Sequence, residues 1–90
     1  GLTSIPEDAV SIDSSYIGDG YGLPSEKTLD AIRLAASLEG IAFDPVYSGK
    51  ALQAVIDKTI LGDLDDHSDV ILIHTGGTFV LPVYEEAIVT

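Results

Sequence analysis

The sequence contains no cysteine, methionine or tryptophan. Without cysteine there is no disulfide framework and no thiolate metal site, and this absence fits a cytoplasmic protein. No apolar run approaches the roughly 18–20 residues of a membrane-spanning helix, so we expect the apolar residues to form a core and the membrane to be no partner. The chain begins at Gly1 with no basic stretch after it, so no signal peptide is expected.

Positive charge is also scarce, since three lysines and one arginine face 15 acidic residues and the net charge is −11. Nucleic acids and anionic membranes bind positive surfaces, so this balance excludes both as expected partners. Two interpretations of the acidity stay open. It is either an ordinary acidic surface or the heavily acidic surface that keeps proteins soluble at high salt.

Two helices are predicted from local signals. Ser25 is a good N-cap and Gly40 closes the first helix, while a second helix is predicted at about 49–61 and ends at Gly62. Both have a narrow polar stripe and are otherwise apolar, whereas a surface helix of a small domain has a wider polar face. We therefore expect both helices to be enclosed on several sides.

The second half of the chain predicts a buried strand. The run "DVILIHT" (69–75) is continuously apolar between turn signals, as in a strand buried on both faces. The segment 78–88 is predicted to be helical in part, with a disruption at Pro82. Before the first helix, residues 14–24 form a glycine-rich ordered loop, and the alternation at Val10 and Ile12 allows one short strand at best.

These elements do not complete a fold by themselves. A strand buried on both faces implies a parallel sheet covered by helices, and 46% hydrophobic residues is high for a chain of 90 residues. We therefore predict an α/β protein in which residues 1–90 are a single segment of a larger body with an open parallel sheet in three layers.

The chain offers no self-contained catalytic or metal centre. A calcium loop counted from Asp63 would need Gly and Glu where Ser68 and His74 stand, so the acidic loop 63–69 is predicted to be a solvated loop. His67 lies among acids and is expected to be exposed. His74 ends the predicted strand and is expected to be a structural histidine with satisfied hydrogen bonds.

The stretch "IHTGGT" (73–78) is the best candidate for a binding site. Open α/β sheets bind ligands beyond the carboxyl ends of their strands. Thr75 would present a hydroxyl there, and Gly76 and Gly77 would let a flat ligand approach the backbone. An ordinary strand-to-helix turn is the alternative. Likewise, Tyr21 and Tyr47 are loop tyrosines that either serve a site or pack half-buried.

Three motifs in series carry a resemblance. The order "GYGLP", "LEGIAFDPVYSGKA" and "ILIHTGGT" resembles the C-terminal part of the D-cysteine desulfhydrase and 1-aminocyclopropane-1-carboxylate deaminase family. The family has the fold type II, or tryptophan-synthase β-like, architecture and uses pyridoxal 5'-phosphate (PLP). The resemblance covers nearly all of residues 16–78 and weakens at "FVLPVY".

The resemblance implies a role for each matching residue. Tyr47 corresponds to the tyrosine that stacks on the pyridine ring, Tyr21 to an active-site tyrosine near the substrate, and Thr75 to the hydroxyl residue bonded to the pyridine nitrogen. Gly76 and Gly77 complete that cofactor-binding wall. In the cyclopropane deaminases, Glu tends to stand at the position of Ser48 and an apolar residue at the position of Thr75.

The residues at positions 48 and 75 favour α,β-elimination on D-cysteine, with sulfide, ammonia and pyruvate as products. A neutral hydroxyl does not hold a proton on the ring nitrogen as a carboxylate would, so the ring is a weaker electron sink. The alternatives are 1-aminocyclopropane-1-carboxylate deaminase, an L-cysteate sulfo-lyase and a catalytically inactive, acidic interaction module.

The resemblance also implies what lies outside this segment. The Schiff-base lysine and the phosphate-binding loop are expected upstream or in a second chain, so neither Lys50 nor Lys58 is expected to carry the cofactor. The 90 residues alone are expected to be inactive. The complete enzyme is expected to be a homodimer acting on a small amino acid.

Overall fold

Three α-helices form the framework of the described part of the chain. The computed structural model describes residues 4–66 and 69–89, with helices α1 (Glu26–Glu39), α2 (Ser48–Leu61) and α3 (Glu85–Val89). Short 3-10 helices span Glu7–Ala9 and Thr78–Tyr84. The first two predicted helices are thus confirmed. The third predicted segment is helical as well, but it is a 3-10 helix around Pro82 and becomes α-helical only after Tyr84.

Helix α1 begins and ends where its capping residues predict. The Ser25 hydroxyl accepts the N–H of Thr28 at 3.1 Å and so satisfies one of the free donors of the first turn. At the other end Gly40 adopts φ 65°, a left-handed conformation that glycine reaches without strain, and its N–H returns to Ala36.

The core lies where α1 crosses the start of α2. Its buried apolar side chains are Leu29, Ala31, Ile32 and Phe43. The helices approach closely because α2 presents Gly49 there, and a Cβ at that position would lie 2.8 Å from Ile32 Cδ1. A polar contact reinforces the crossing, since the buried Thr28 hydroxyl donates to Gln53 Oε1 at 2.6 Å.

Among the residues described, Arg33 joins helix α3 to α1. The guanidinium of Arg33 donates to the carbonyls of Ile88 and Ala87, both at 2.6 Å, and to Asp30 at 2.9 Å. The last carbonyls of a helix lack partners within it, so a cation there is favourable both as a donor and against the helix dipole. Arg33 therefore fixes the C-terminal segment against the core.

The predicted buried strand at 69–75 is not formed in the described part of this chain. Within residues 4–66 and 69–89 no strand is present, and 69–75 is an irregular segment with no regular secondary structure. Ile71 and Ile73 are 87% and 74% exposed, and Val10 and Ile12 are likewise open. A strand needs a hydrogen-bonded neighbour, and no other segment described here offers one.

The predicted enclosure of the helices is also not supplied by this chain. Leu34 and Leu38 on α1, and Ile60 and Leu61 on α2, are exposed. These are the faces for which the narrow polar stripes predict neighbours. None of the helices in the described part of the chain has the length and apolar character needed to cross a membrane.

Candidate functional site: a tyrosine pair on a hydrogen-bonded loop

Tyr21 and Tyr47 meet at the surface although 26 residues separate them. Their hydroxyls are hydrogen-bonded to each other, and their ring centroids lie 5.8 Å apart at an interplanar angle of 67°. Such an edge-to-face contact is a favoured aromatic geometry. Tyr47 is 55% exposed and Tyr21 is 79% exposed, so this tyrosine pair presents two phenols to an open surface.

The environment of the tyrosine pair keeps the Tyr47 phenol neutral. Its hydrogen bond to Tyr21 raises the pKa of Tyr47 above the ordinary value of 10.0, and partial desolvation and the electrostatic effect of the neighbouring Tyr21 and Asp44 side chains act in the same direction. A neutral phenol both donates and accepts hydrogen bonds. At neutral pH the Tyr47 hydroxyl can therefore act either as donor or as acceptor in its hydrogen bond with Tyr21.

The backbone of Tyr47 is fixed by the buried carboxylate of Asp44. Its Oδ2 accepts the N–H groups of Val46 at 2.8 Å and Tyr47 at 2.7 Å, while its Oδ1 accepts the N–H of Ser48 at 2.9 Å and also the Ser48 hydroxyl. Asp44 is fully buried. Because these donors lie at the N-terminal start of helix α2, the carboxylate also lies at the positive end of the helix dipole.

Hydrogen bonding decides the ionisation state of Asp44. Burial by itself would raise the pKa of this carboxyl, but the hydrogen bonds from the Ser48 hydroxyl and from the three backbone N–H groups outweigh it and lower the pKa. Asp44 is therefore a charged group held by dipoles. Among the residues described, no lysine, arginine or histidine forms an ion pair with it.

The loop that carries Tyr21 is attached to two other elements. Lys50 on α2 donates to the carbonyls of Ile17 at 2.6 Å and Gly20 at 3.1 Å. The hydroxyl of Tyr84 donates to the carbonyl of Gly22 at 2.8 Å. The ammonium of Lys50 is thus directed at backbone oxygens.

The segment that contains the predicted cofactor glycines is attached at His74. His74 Nε2 donates to the carbonyl of Ala42 at 2.7 Å, and its Nδ1 accepts the N–H of Gly76 at 3.0 Å, which defines the neutral tautomer protonated on Nε2. Its ring lies 4.6 Å from the Phe43 ring. The expectation of a hydrogen-bonded structural histidine is confirmed. His67 lies outside the described residues.

Gly77 brings this segment against the loop of Tyr47. A Cβ at Gly77 would lie 2.9 Å from both Cγ and Oδ1 of Asp44, and the backbone there has φ 87°. Only glycine fits both conditions without strain. Asp44 thus contacts both the loop of Tyr47, through hydrogen bonds, and the segment of Gly77, through this close approach.

The predicted site residues differ in how well they suit a planar cofactor ring. Tyr47 has ring surface open for stacking, Thr75 is exposed, and a Cβ at Gly76 would meet nothing within 4 Å. Ser48 is buried, and its hydroxyl both donates to Asp44 and accepts the Asp44 N–H at 3.0 Å. No hydrogen bond in the described part of the chain joins Thr75 to either tyrosine. The stacking surface therefore fits a pyridine ring better than the Ser48 hydroxyl fits its nitrogen.

Sequence reasoning missed Asp44, Lys50 and Tyr84 as supports of the site. Asp44 had a local signal, because an aspartate before a proline and a helix start is suited to accept the N–H groups that follow it. Tyr84 had none, since its partner Gly22 is 62 residues away.

Comparison with known proteins gives the class of this chain. The family model described as pyridoxal-phosphate dependent enzyme matches residues 1–76. The chain is 48% identical over 82 residues to a 1-aminocyclopropane-1-carboxylate deaminase of Burkholderia ambifaria, covering 91% of this chain and 24% of the relative. For the enzymes of the same name from Burkholderia lata and Burkholderia cenocepacia, the identities are 48% and 49%, the shares of this chain 86% and 89%, and the shares of the relatives 23% and 24%.

The chain belongs to the family of pyridoxal-phosphate dependent enzymes. It spans about a quarter of the length of the curated relatives it matches. The suspected family and its cofactor are thereby confirmed. The deaminase alternative fits the names of these relatives better than D-cysteine desulfhydrase does.

Proposed function

We propose that the protein carrying this chain is a PLP-dependent lyase that deaminates 1-aminocyclopropane-1-carboxylate. The observation that carries the proposal is the tyrosine pair, which offers a stacking ring and a second phenol in a chain about half identical to deaminases of that name. PLP bound at this wall would act as the electron sink for bonds broken at the α-carbon of the amino acid.

Each residue of the wall has a distinct part in this proposal. The Tyr47 ring would support the pyridine ring by stacking. The Tyr21 hydroxyl, shared with Tyr47, donates or accepts a proton at the substrate. The Thr75 hydroxyl would bind the pyridine nitrogen, and Gly76 and Gly77 would leave room for the ring. Ser48 acts from below, by holding Asp44 and thereby the backbone of Tyr47.

The remainder of the enzyme is part of the same proposal. It supplies the Schiff-base lysine, the phosphate-binding loop and the neighbouring strands of an open parallel sheet that receives residues 69–75. The complete enzyme is proposed to be a cytoplasmic homodimer, and the 90 residues alone are proposed to be inactive.

D-cysteine desulfhydrase is the second candidate, and positions 48 and 75 favour it. Hydroxyl residues at both positions leave the pyridine nitrogen without a carboxylate partner. A weaker electron sink suits the loss of a β-leaving group, since the leaving group takes the electrons. L-cysteate, with sulfite as its leaving group, fits the same reasoning.

The two candidates are separated by substrate comparison on the intact PLP-loaded protein. Ammonia release is measured with 1-aminocyclopropane-1-carboxylate, D-cysteine, L-cysteine and L-cysteate at equal concentrations. The proposal expects the cyclopropane substrate to have the highest kcat/KM. Faster release from D-cysteine or L-cysteate would establish the second candidate instead, and no release from any of them would indicate an inactive module.

A double substitution tests the chemical reason. Ser48→Glu combined with Thr75→Leu should raise the ratio of cyclopropane to D-cysteine activity by about tenfold or more, because the two changes remove the hydroxyl residues that favour loss of a β-leaving group and add a carboxylate next to the cofactor-binding wall. The matched control, Ser37→Glu, adds the same carboxylate on the exposed face of α1. An unchanged ratio in the double variant would show that positions 48 and 75 do not select the reaction.

A further inference from the structure

The carbonyls of the two residues that flank Tyr21, Gly20 and Gly22, are each held by a side chain from a different element. Lys50 of α2 binds the carbonyl of Gly20, and Tyr84, at the end of the second 3-10 helix, binds the carbonyl of Gly22. Lys50 binds the carbonyl of Ile17 as well, which closes the start of the same loop. Three carbonyls within six residues are thus satisfied from outside the loop.

The loop needs such supports because of its glycines. Gly20 has φ 150° and Gly22 has φ 72°, so Tyr21 lies between two residues whose backbone rotates more freely than any other. Tyr21 is itself 79% exposed. Its phenol contacts only Tyr47 through a side-chain hydrogen bond among the residues described. The position of that phenol therefore depends on what fixes the two flanking glycines.

Both supports are attached to the helical framework. Lys50 lies in the first turn of α2, directly after the turn that Asp44 organises. Tyr84 immediately precedes α3, whose carbonyls Arg33 binds from α1. The loop of Tyr21 is therefore connected to α2 directly through Lys50, and to α1 indirectly through Tyr84 and the α3 segment that Arg33 binds. Gly22 is also in close contact with Tyr84, since a Cβ there would lie 3.2 Å from its hydroxyl oxygen.

We propose that Lys50 and Tyr84 are positioning residues for Tyr21, holding its loop so that its phenol stays at Tyr47 and at the reacting atoms. This inference rests on the proposed function of the tyrosine pair. It assigns the ammonium of Lys50 a mechanical role, because both of its contacts use its N–H donors on backbone carbonyls. It also assigns a role to a residue of the C-terminal segment, which lies beyond the residues 1–76 that the family model matches.

The test removes each donor from the intact, PLP-loaded protein and leaves the rest of the side chain. Lys50→Met and Tyr84→Phe should each lower kcat three- to tenfold with KM changed less than about twofold, since a displaced phenol costs rate more than binding. Lys50→Arg, which keeps a donor, should recover most of the rate. The controls are Lys27→Met and Tyr16→Phe, whose side chains make no hydrogen bond in the described part of the chain.

A second readout does not depend on turnover. The same variants are made with 3-fluorotyrosine in place of Tyr21, and the fluorine resonance is recorded by NMR. Lys50→Met and Tyr84→Phe should shift or broaden that resonance, while both controls should leave it unchanged. An unchanged resonance in both donor variants would overturn the positioning role, whatever their rates.

A double-variant comparison separates this inference from the proposed function. In a Tyr21→Phe background, Lys50→Met and Tyr84→Phe should lower kcat no further if they act through Tyr21. Full additivity would overturn the inference. If Tyr21→Phe alone leaves kcat unchanged while the fluorine resonance still responds, the positioning contacts stand and the proposed role of Tyr21 fails.

Discussion

At the scale of single residues, Asp44 explains why the Tyr47 loop has a defined shape. A buried carboxylate is normally expensive, and an ion pair is one common way to offset that cost. Here four N–H and O–H donors take the place of a cation. Three of these donors are N–H groups of consecutive residues. The carboxylate that they solvate therefore also fixes the backbone of those residues in a turn. Tyr47 is the middle residue of that turn.

Replacing Asp44 tests this directly. Asn has one oxygen and brings an NH₂ group toward donors, so Asp44→Asn should lower the free energy of unfolding by about 2–4 kcal/mol. Urea unfolding of the purified protein at pH 7 measures the change. The control Asp19→Asn, at an exposed aspartate, should stay within about 0.5 kcal/mol. A similarly small effect at position 44 would contradict the account.

The same pair of variants has a defined pH dependence. Since the folded-state pKa of Asp44 is lower than its unfolded value, its contribution is present above about pH 4 and is lost as the pH falls through the folded-state pKa. The difference in stability between wild type and Asp44→Asn should therefore shrink as the pH is lowered from 5 toward 2. A difference that stays constant over this range would exclude Asp44 as its source.

At the scale of elements, the crossing of α1 and α2 depends on the absence of a side chain at Gly49. The position lies within a helix, where Gly→Ala normally stabilises by about 0.5–1 kcal/mol. A Cβ there would lie 2.5 Å from the carbonyl oxygen of Asp44 and 2.8 Å from Ile32 Cδ1. The backbone oxygen cannot move without breaking the turn, so the steric cost exceeds the gain in propensity.

Gly49→Ala should therefore destabilise the protein by about 1–3 kcal/mol, as overpacked cores do. Thermal and urea unfolding provide the measurement. Ser37→Thr is the matched control, because it adds one methyl group on the exposed face of α1 and should be nearly neutral. Greater stability of Gly49→Ala would show that α1 and α2 can separate at no cost.

The elements also show what could be predicted from the sequence. Helices α1 and α2 were predicted because their caps, Ser25 and Gly40 among them, are local signals. The strand predicted at 69–75 is not formed among the described residues, because strand pairing depends on residues far away in sequence or outside the chain. Tyr21 and Tyr47 were identified through an ordered series of motifs, and the structure brings them together. The contacts of Lys50 and Tyr84 join residues that are 30 to 62 positions apart in the sequence, and local sequence patterns cannot predict contacts over such separations.

At the scale of the whole molecule, the chain is more extended than its length would give in a compact domain. Its radius of gyration is 14.8 Å, whereas about 12 Å is typical of 90 residues. Large apolar side chains remain open along α1, along α2 and at Ile71 and Ile73. Such surface is characteristic of a part that packs against more protein. The family relation and the coverage of a quarter of the relatives agree with that.

Hydrogen exchange can test where residues 69–75 belong. In the chain alone their backbone amides make no hydrogen bond within the described residues, so they should exchange within seconds. In the intact enzyme, pairing with neighbouring strands should slow the amides of 70–73 by at least about a hundredfold. The amides of α1 serve as the internal reference, since they are bonded in both forms. Fast exchange of 70–73 in the intact enzyme would rule out the sheet at this position.

The contact between Gly77 and Asp44 has a consequence for anyone who redesigns this enzyme. With no side chain at 77, the two segments touch through a hydrogen atom and a carboxylate, and the spacing between them has no slack. Positions 44 and 77 are therefore one design variable. A side chain at 77 meets both the Asp44 carboxylate and a left-handed backbone, so changing position 44 as well removes only the first obstacle and also removes the group that holds the turn of Tyr47.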